Sequence, residues 1–236
     1  MRSSKAKRGP FAERVHYALD EIDRICVEAL RGAGCLPDLP SPIRIDRFIE
    51  KHFGCDIGYE DFEPGILGCT IFTPAGKVQA VLISKNLDDG TRPGERRLWS
   101  TLAHEGGHGL LHAHLFIQST HTQDRFDFDG VQKPQDRILC RSDDIGGVEA
   151  KRSYDGKWWE YQANRAIGGF LLPKKLVEKA AREFLQPGGT ATVSTVPREK
   201  RDVLIRHISD VFDVNPVVAK IRIGEMWPEN AGSTLI

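Results

Sequence analysis

The chain has no apolar run approaching the roughly 20 residues that a membrane-spanning helix requires, and its 33 Lys and Arg are matched by 33 Asp and Glu. The first absence argues against a membrane protein. The second removes any bulk electrostatic attraction to nucleic acid or to an acidic lipid surface, so direct nucleic-acid binding is not expected without a local basic patch. A CxxC pair is also missing. The five cysteines, Cys26, Cys35, Cys55, Cys69 and Cys140, form an odd, scattered set that suits reduced, mostly buried thiols better than a disulfide framework. The basic start, Met1 to Arg8, leads into Gly9-Pro10 and an amphipathic stretch, not into an apolar signal core. These features together give a cytoplasmic expectation.

What is present is ordinary globular composition: 236 residues, 40% of them hydrophobic, enough for a packed core in one large domain or two small ones. Residues 1–10 are expected to be a flexible N-terminus. Phe11, Val15, Ile22, Cys26 and Leu30 recur on one helical face, predicting a first helix over 11–31, and Ile45, Phe48, Ile49 and Phe53 predict a second, closed by Gly54. The runs 69–73 and 77–84 flank the turn Pro74-Ala75-Gly76 and read as a β-hairpin, with 56–59 as a third strand. Helical period returns over 94–115 and again near 157–171, 173–186 and 198–212. Between them, 116–156 shows neither period and reads as an insert or loop. The expected organisation is a domain over 11–196 with that insert, and a helical C-terminal subdomain over 197–236 packed on it. The fold class expected is α+β, with a small, mainly antiparallel sheet followed by a helical C-terminal half.

The segment that carries chemistry is His104-Glu105-Gly106-Gly107-His108, placed mid-helix. Residues four apart on a helix are separated by about 6 Å along the axis and point the same way, so both imidazoles can reach one ion. Two neutral imidazoles and a carboxylate hold zinc with a fourth position left for water, and Glu105 beside them is the natural general base. Gly106, Gly107 and Gly109 reduce helix propensity, which implies that something packs close to this backbone.

Spacing leaves two candidates for a third ligand. His114 has the metzincin distance from His104, but Leu111 stands where that pattern needs a turn-making glycine; in a continuous helix His114 lies about 15 Å along the axis, too far to share the ion. Glu160, in Trp158-Trp159-Glu160-Tyr161-Gln162-Ala163-Asn164, is the distant candidate, with Asn164 one turn later on the same face. Thermolysin-like sites take a glutamate from a second helix and use a residue four further on to hold a ligand histidine by its other nitrogen. On spacing alone Glu160 could equally be a solvated glutamate.

Three segments resemble the ImmA/IrrE family of cytoplasmic metallopeptidases. Ala80–Asn86 with Arg96–His108 and on to Leu111-His112 is similar to the family's strand, linker and HExxH helix. Glu160–Arg165 through Phe170-Leu171-Leu172-Pro173 is similar to its second helix, and Ile208–Met226 to its closing helical pair. The resemblance covers under half the chain. It implies a zincin-like fold, Glu160 as third zinc ligand with Asn164 behind a ligand histidine, and zinc or another divalent ion such as manganese as cofactor. It further implies an endopeptidase whose substrate is a helix-turn-helix transcriptional repressor, cut in a stress or mobile-element response. The sequence departs at Ala166-Ile167-Gly168-Gly169, at Leu172 and in the long 116–156 stretch.

The competing reading is a metal-containing regulatory module, such as a toxin–antitoxin component, that acts by association without proteolysis. An extended substrate is expected to add as a strand to the edge of the 69–84 hairpin. Donors for a developing oxyanion remain open among His112, Tyr154, Tyr161, Arg165 and His207. His112, about 12 Å along the helix from His104, is expected to act structurally or behind a ligand. His114, His121 and Cys140 lack tetrad spacing for a second metal and read as solvated or packed. The helix, turn, helix reading of 212–222 has too few basic residues for DNA and is expected to pack.

Overall fold

The computed structural model describes residues 2–5, 11, 13–119, 137–141, 157–187 and 194–229. Its centre is a mixed four-stranded sheet packed against a long helix. Strands β3 (Ile57–Glu60), β4 (Ile66–Phe72), β5 (Val78–Ser84) and β6 (Arg137–Arg141) lie in the order β3-β5-β4-β6. The β4–β5 pair is the expected hairpin; β3 joins β5 in parallel, and β6 joins β4 antiparallel. β6 lies within the stretch expected to be an insert. Its alternating burial, with Ile138 and Cys140 inward, is too short a period-2 signal to stand out in a polar region.

That strand changes where a substrate could pair. β5 lies between β3 and β4, and β4 between β5 and β6, so the hairpin has no free long edge. The expectation that an extended peptide adds directly to the 69–84 hairpin is therefore corrected: among the described residues the sheet's outer strands are β3 and β6, so an incoming strand must add outside one of these or displace it.

Helix α3 (Arg92–Ser119) carries the HExxH segment and runs four residues beyond the expected end. It lies on one sheet face, with α2 (Ile45–Phe53) and α4 (Trp158–Leu171) against it. Helix α1 (Leu19–Gly32) packs in turn on α4. Residues 13–16, expected to be helical, instead form strand β2 (Glu13–His16), paired with β1 (Arg2–Lys5). The apolar pair Phe11 and Val15 is four apart, a spacing that satisfies both a helical and a strand period. Burial of Val15 against Leu115 and Trp158 decides for the strand, and α1 begins only where the Ala18 amide donates to Glu21 Oε2 at 2.7 Å.

Of the C-terminal helices α5 (Lys174–Ala181), α6 (Arg201–Val211) and α7 (Pro216–Met226), the first is held by the Lys174–Asp23 ion pair at 2.7 Å and the other two by two buried arginines. Arg96 on α3 donates to Asp213 at 2.9 Å, to Asp210 at 3.0 Å and to the Ser209 hydroxyl at 3.1 Å. Arg222 on α7 donates to the Leu172 carbonyl at 2.9 Å and to Asp23 of α1 at 2.8 Å. Phe212, Val214, Ala219 and Ile223 are buried, so the α6–turn–α7 segment packs inward. No helix among the described residues is long and apolar enough to cross a membrane.

The α3–α4 crossing depends on Gly107. A Cβ there would lie 2.8 Å from the Ala166 Cβ and 3.2 Å from the Ala163 Cα and carbonyl oxygen, all of them short or backbone atoms that cannot swing away. At Gly106 the nearest atom would be 3.6 Å off, an ordinary contact. Gly107→Ala should therefore destabilise the fold by about 1–3 kcal/mol, whereas Gly106→Ala should be neutral or gain up to about 1 kcal/mol of helix propensity. Urea denaturation of the two variants tests this; equal effects would refute the close-approach argument.

Candidate metal centre

His104 and His108 project from α3 toward the first turn of α4, where Glu160 meets them; all three are buried, and Glu160 is only 6% exposed. A helix N-terminus favours a carboxylate, which offsets part of the cost of burying it. The Nε2 atoms of the two histidines are 3.0 Å apart, and Glu160 Oε2 lies 3.1 Å from His104 Nε2 and 3.4 Å from His108 Nε2. Tetrahedral zinc with donors at about 2.0–2.1 Å spaces them by about 3.3 Å, so the donor set fits such an ion. Spacing left Glu160 undecided between a ligand position and the surface; the fold places it among the histidines.

The ring orientations are held from behind. Asn164 Oδ1 can only accept, so at 3.0 Å it takes the Nδ1 proton of His104 and leaves Nε2 with its lone pair. The His108 side has a longer chain. The Val15 carbonyl accepts from Gln162 Nε2 at 2.8 Å, which turns Gln162 Oε1 toward His112 Nε2, 3.0 Å away. His112 then donates through Nε2 and accepts at Nδ1 from His108 Nδ1, also 3.0 Å away, so His108 too presents a bare Nε2. Burial depresses His112 well below the ordinary imidazole range and keeps it neutral, as this relay requires.

Two imidazole lone pairs and a carboxylate converging within 3.4 Å repel one another unless a cation or a proton stands among them. Burial alone would raise the Glu160 carboxyl, yet His108 and His104, in their protonated forms, hold it well below the usual carboxylate range.

Glu105, one residue round the helix, faces the sheet. Its Oε2 accepts from the Thr70 hydroxyl at 2.5 Å, while Oε1 is buried without a hydrogen-bond partner among the described residues. A Cβ on Gly68 would lie 2.9 Å from that Oε1, so only glycine at this point of β4 leaves room for the carboxylate. Burial pushes Glu105 up to about 8, against the pull of His104 and Thr70. A carboxylate tuned toward neutrality suits proton transfer near physiological pH.

The remaining sequence candidates separate clearly. His112 lies behind His108, as its axial distance implied, and is turned away from the donor cluster. Tyr161 is exposed, with the Arg165 guanidinium 5.0 Å above its ring, and Arg165 pairs with Glu225. His207 packs on Phe184. Tyr154 and His121 lie outside the described residues. His114 is half-buried and takes no part in the metal donor set. Cys140, weighed in the sequence only with His114 and His121 for a second metal, lies instead beside His104 and Glu105, a placement that sequence reasoning missed. Fully buried on β6, it lies with its sulfur, a His104 ring nitrogen and a Glu105 oxygen all within 4.8 Å of one another, and burial pushes its thiol up to about 12. Only the strand pairing of β6 brings it there, and no local spacing records that.

The relay makes a prediction that does not depend on any substrate. Gln162→Leu and His112→Phe free the His108 ring, and each should weaken zinc binding about 10–100-fold, measured by competition with a chromophoric chelator. Affinity unchanged in both variants would show that the relay does not orient the ligand. A scan against protein-family models returns no match for this chain, and neither does a search of curated proteins.

Proposed function

We propose that the chain is a zinc-dependent endopeptidase with a zincin-like site. The observation that carries this reading is the convergence of His104, His108 and Glu160 donors within 3.4 Å, with the buried Glu105 carboxylate directly beside them. Bound there, zinc or a similar divalent ion would polarise a scissile carbonyl and acidify the attacking water. Glu105 takes the proton from that water at its free Oε1 and returns it to the departing amide nitrogen, a role favoured by its raised pKa. Thr70 holds the other carboxylate oxygen, and Asn164 and His112 hold the two imidazoles for coordination.

The resemblance of these segments to ImmA/IrrE peptidases supports a helix-turn-helix repressor as substrate and a cytoplasmic, stress-responsive role. The alternative, a metal-containing module that binds such a repressor without cutting it, draws support from β6, which covers the β4 edge beside the site. One experiment separates the two: incubation with the repressor encoded nearest to this gene, with and without zinc.

Three outcomes are expected. Chelation abolishes cleavage and added zinc restores it. Glu105→Gln keeps one equivalent of zinc but slows cleavage by about 10²–10⁴-fold. Glu160→Gln loses zinc affinity and activity together. Binding without cleavage by the zinc-loaded wild type would decide for the regulatory module.

A further inference from the structure

We propose that the N-terminal ribbon, β1 paired with β2, docks the protein on double-stranded DNA through the phosphates that line the major groove. This goes beyond the proposed activity and depends on neither the metal nor peptide cleavage.

Charge is spread unevenly along the chain although its total is zero. Residues 1–16 hold five basic side chains, Arg2, Lys5, Lys7, Arg8 and Arg14, against the single acid Glu13, a net charge of +4 that the rest of the chain offsets with −4. A neutral chain lacks bulk attraction to nucleic acid, but a segregated one keeps a local field that reaches about 8–10 Å at moderate salt. The sequence made nucleic-acid binding conditional on such a patch.

The fold gives that charge a shape. The register pairs Arg2 with His16 and Ser4 with Arg14, and cross-strand partners project from the same face of a ribbon. Ser4 Oγ lies 3.0 Å from His16 Nε2, as a shared face requires. On the opposite face Val15 is buried against Leu115 and Trp158, with Ser3 across from it and Lys5 opposite Glu13 beside it. The Val15 carbonyl, accepting from Gln162 at 2.8 Å, ties the same strand to α4. One face thus anchors the ribbon to the body, and the other carries two guanidiniums, a hydroxyl and an imidazole. Arg2, Ser4 and His16 are exposed, and Arg14 is half-buried.

These are groups that contact phosphate oxygens. A two-stranded ribbon fits the major groove of B-form DNA, about 12 Å wide, whereas the corresponding groove of an RNA duplex is deep and narrow. The outward face has no apolar side chain, and an element lying on a membrane needs one to enter the lipid. DNA is therefore favoured over RNA and over an anionic membrane.

The test is fluorescence anisotropy of a labelled, mixed-sequence DNA duplex of about 20 base pairs, titrated with the full chain at a series of salt concentrations. Binding is expected at low salt, with the logarithm of the association constant falling against that of salt at a slope of about −2, for two neutralised phosphates. Because the Arg2 side chain is exposed, its replacement should leave the fold intact, which circular dichroism checks. Arg2→Ala should weaken binding and flatten the slope by about 1, and Arg2→Glu should weaken it at least about tenfold. Lys85→Ala, which removes an exposed charge at the far end of β5, should change neither. No binding by the wild type, affinity and slope unchanged in Arg2→Glu, or an equal loss in Lys85→Ala overturns the assignment. So does equal affinity for an RNA duplex of the same sequence, or capture by phosphatidylserine vesicles in place of DNA.

Discussion

Helices α3 and α4 meet where Gly107 faces Ala163 and Ala166, and the closeness of that contact governs the rest of the site. Three small residues allow the two backbones to approach until a single added methyl would collide with a neighbour. At that separation a glutamate in the first turn of α4 reaches imidazoles projecting from the middle of α3. A wider crossing would leave Glu160 stranded as a buried charge without partners, a far costlier state. Gly107, which weakens α3 as a helix, is thus the condition for the close approach that brings Glu160 to His104 and His108.

Around this contact, polar groups are placed so that each buried one has a defined function. Asn164 follows Glu160 by one turn, so the helix that supplies a ligand also orients His104. Gln162, between them on α4, reaches the other way, to His112 and to the Val15 carbonyl. The N-terminal strand β2 is consequently part of the site's architecture: its burial against Leu115 and Trp158 fixes the carbonyl from which the His108 tautomer is set. Among the described residues Glu105 is one exception, with one oxygen held by Thr70 and the other without a partner, and the Trp158 indole nitrogen beside His112 is another.

The C-terminal helices contribute indirectly. Arg96, on the same helix as His104 but two turns earlier, draws the Ser209–Asp213 corner against α3, while Arg222 binds α7 to the end of α4 and to α1. Both arginines are buried, and each donates to several acceptors, carboxylates among them, which is the arrangement in which a buried charge is tolerated. They brace the two ligand-bearing helices from outside the site.

Much of this was legible in the sequence. The second helix, the hairpin, the presence of a third strand and the HExxH helix follow from period and turn chemistry, because those are interactions between near neighbours; the parallel pairing of that strand with β5 does not. His104, Glu105 and His108 follow from one helical turn, and the pairing of Glu160 with Asn164 from another. What the sequence could not decide was everything that depends on which elements touch. Phe11 and Val15 satisfied two periods at once, and only packing against Leu115 and Trp158 made the segment a strand. Residues 137–141 carry too brief an alternation to be recognised alone, and only the open edge of β4 draws them into the sheet. Local spacing could bring His104, Glu105 and His108 to one helical turn; the tertiary contacts alone decided that Glu160 meets the two imidazoles, that Gln162 and Val15 stand behind His108, and that Cys140 lies beside His104 and Glu105, because those distances span the chain and are set by packing and strand pairing.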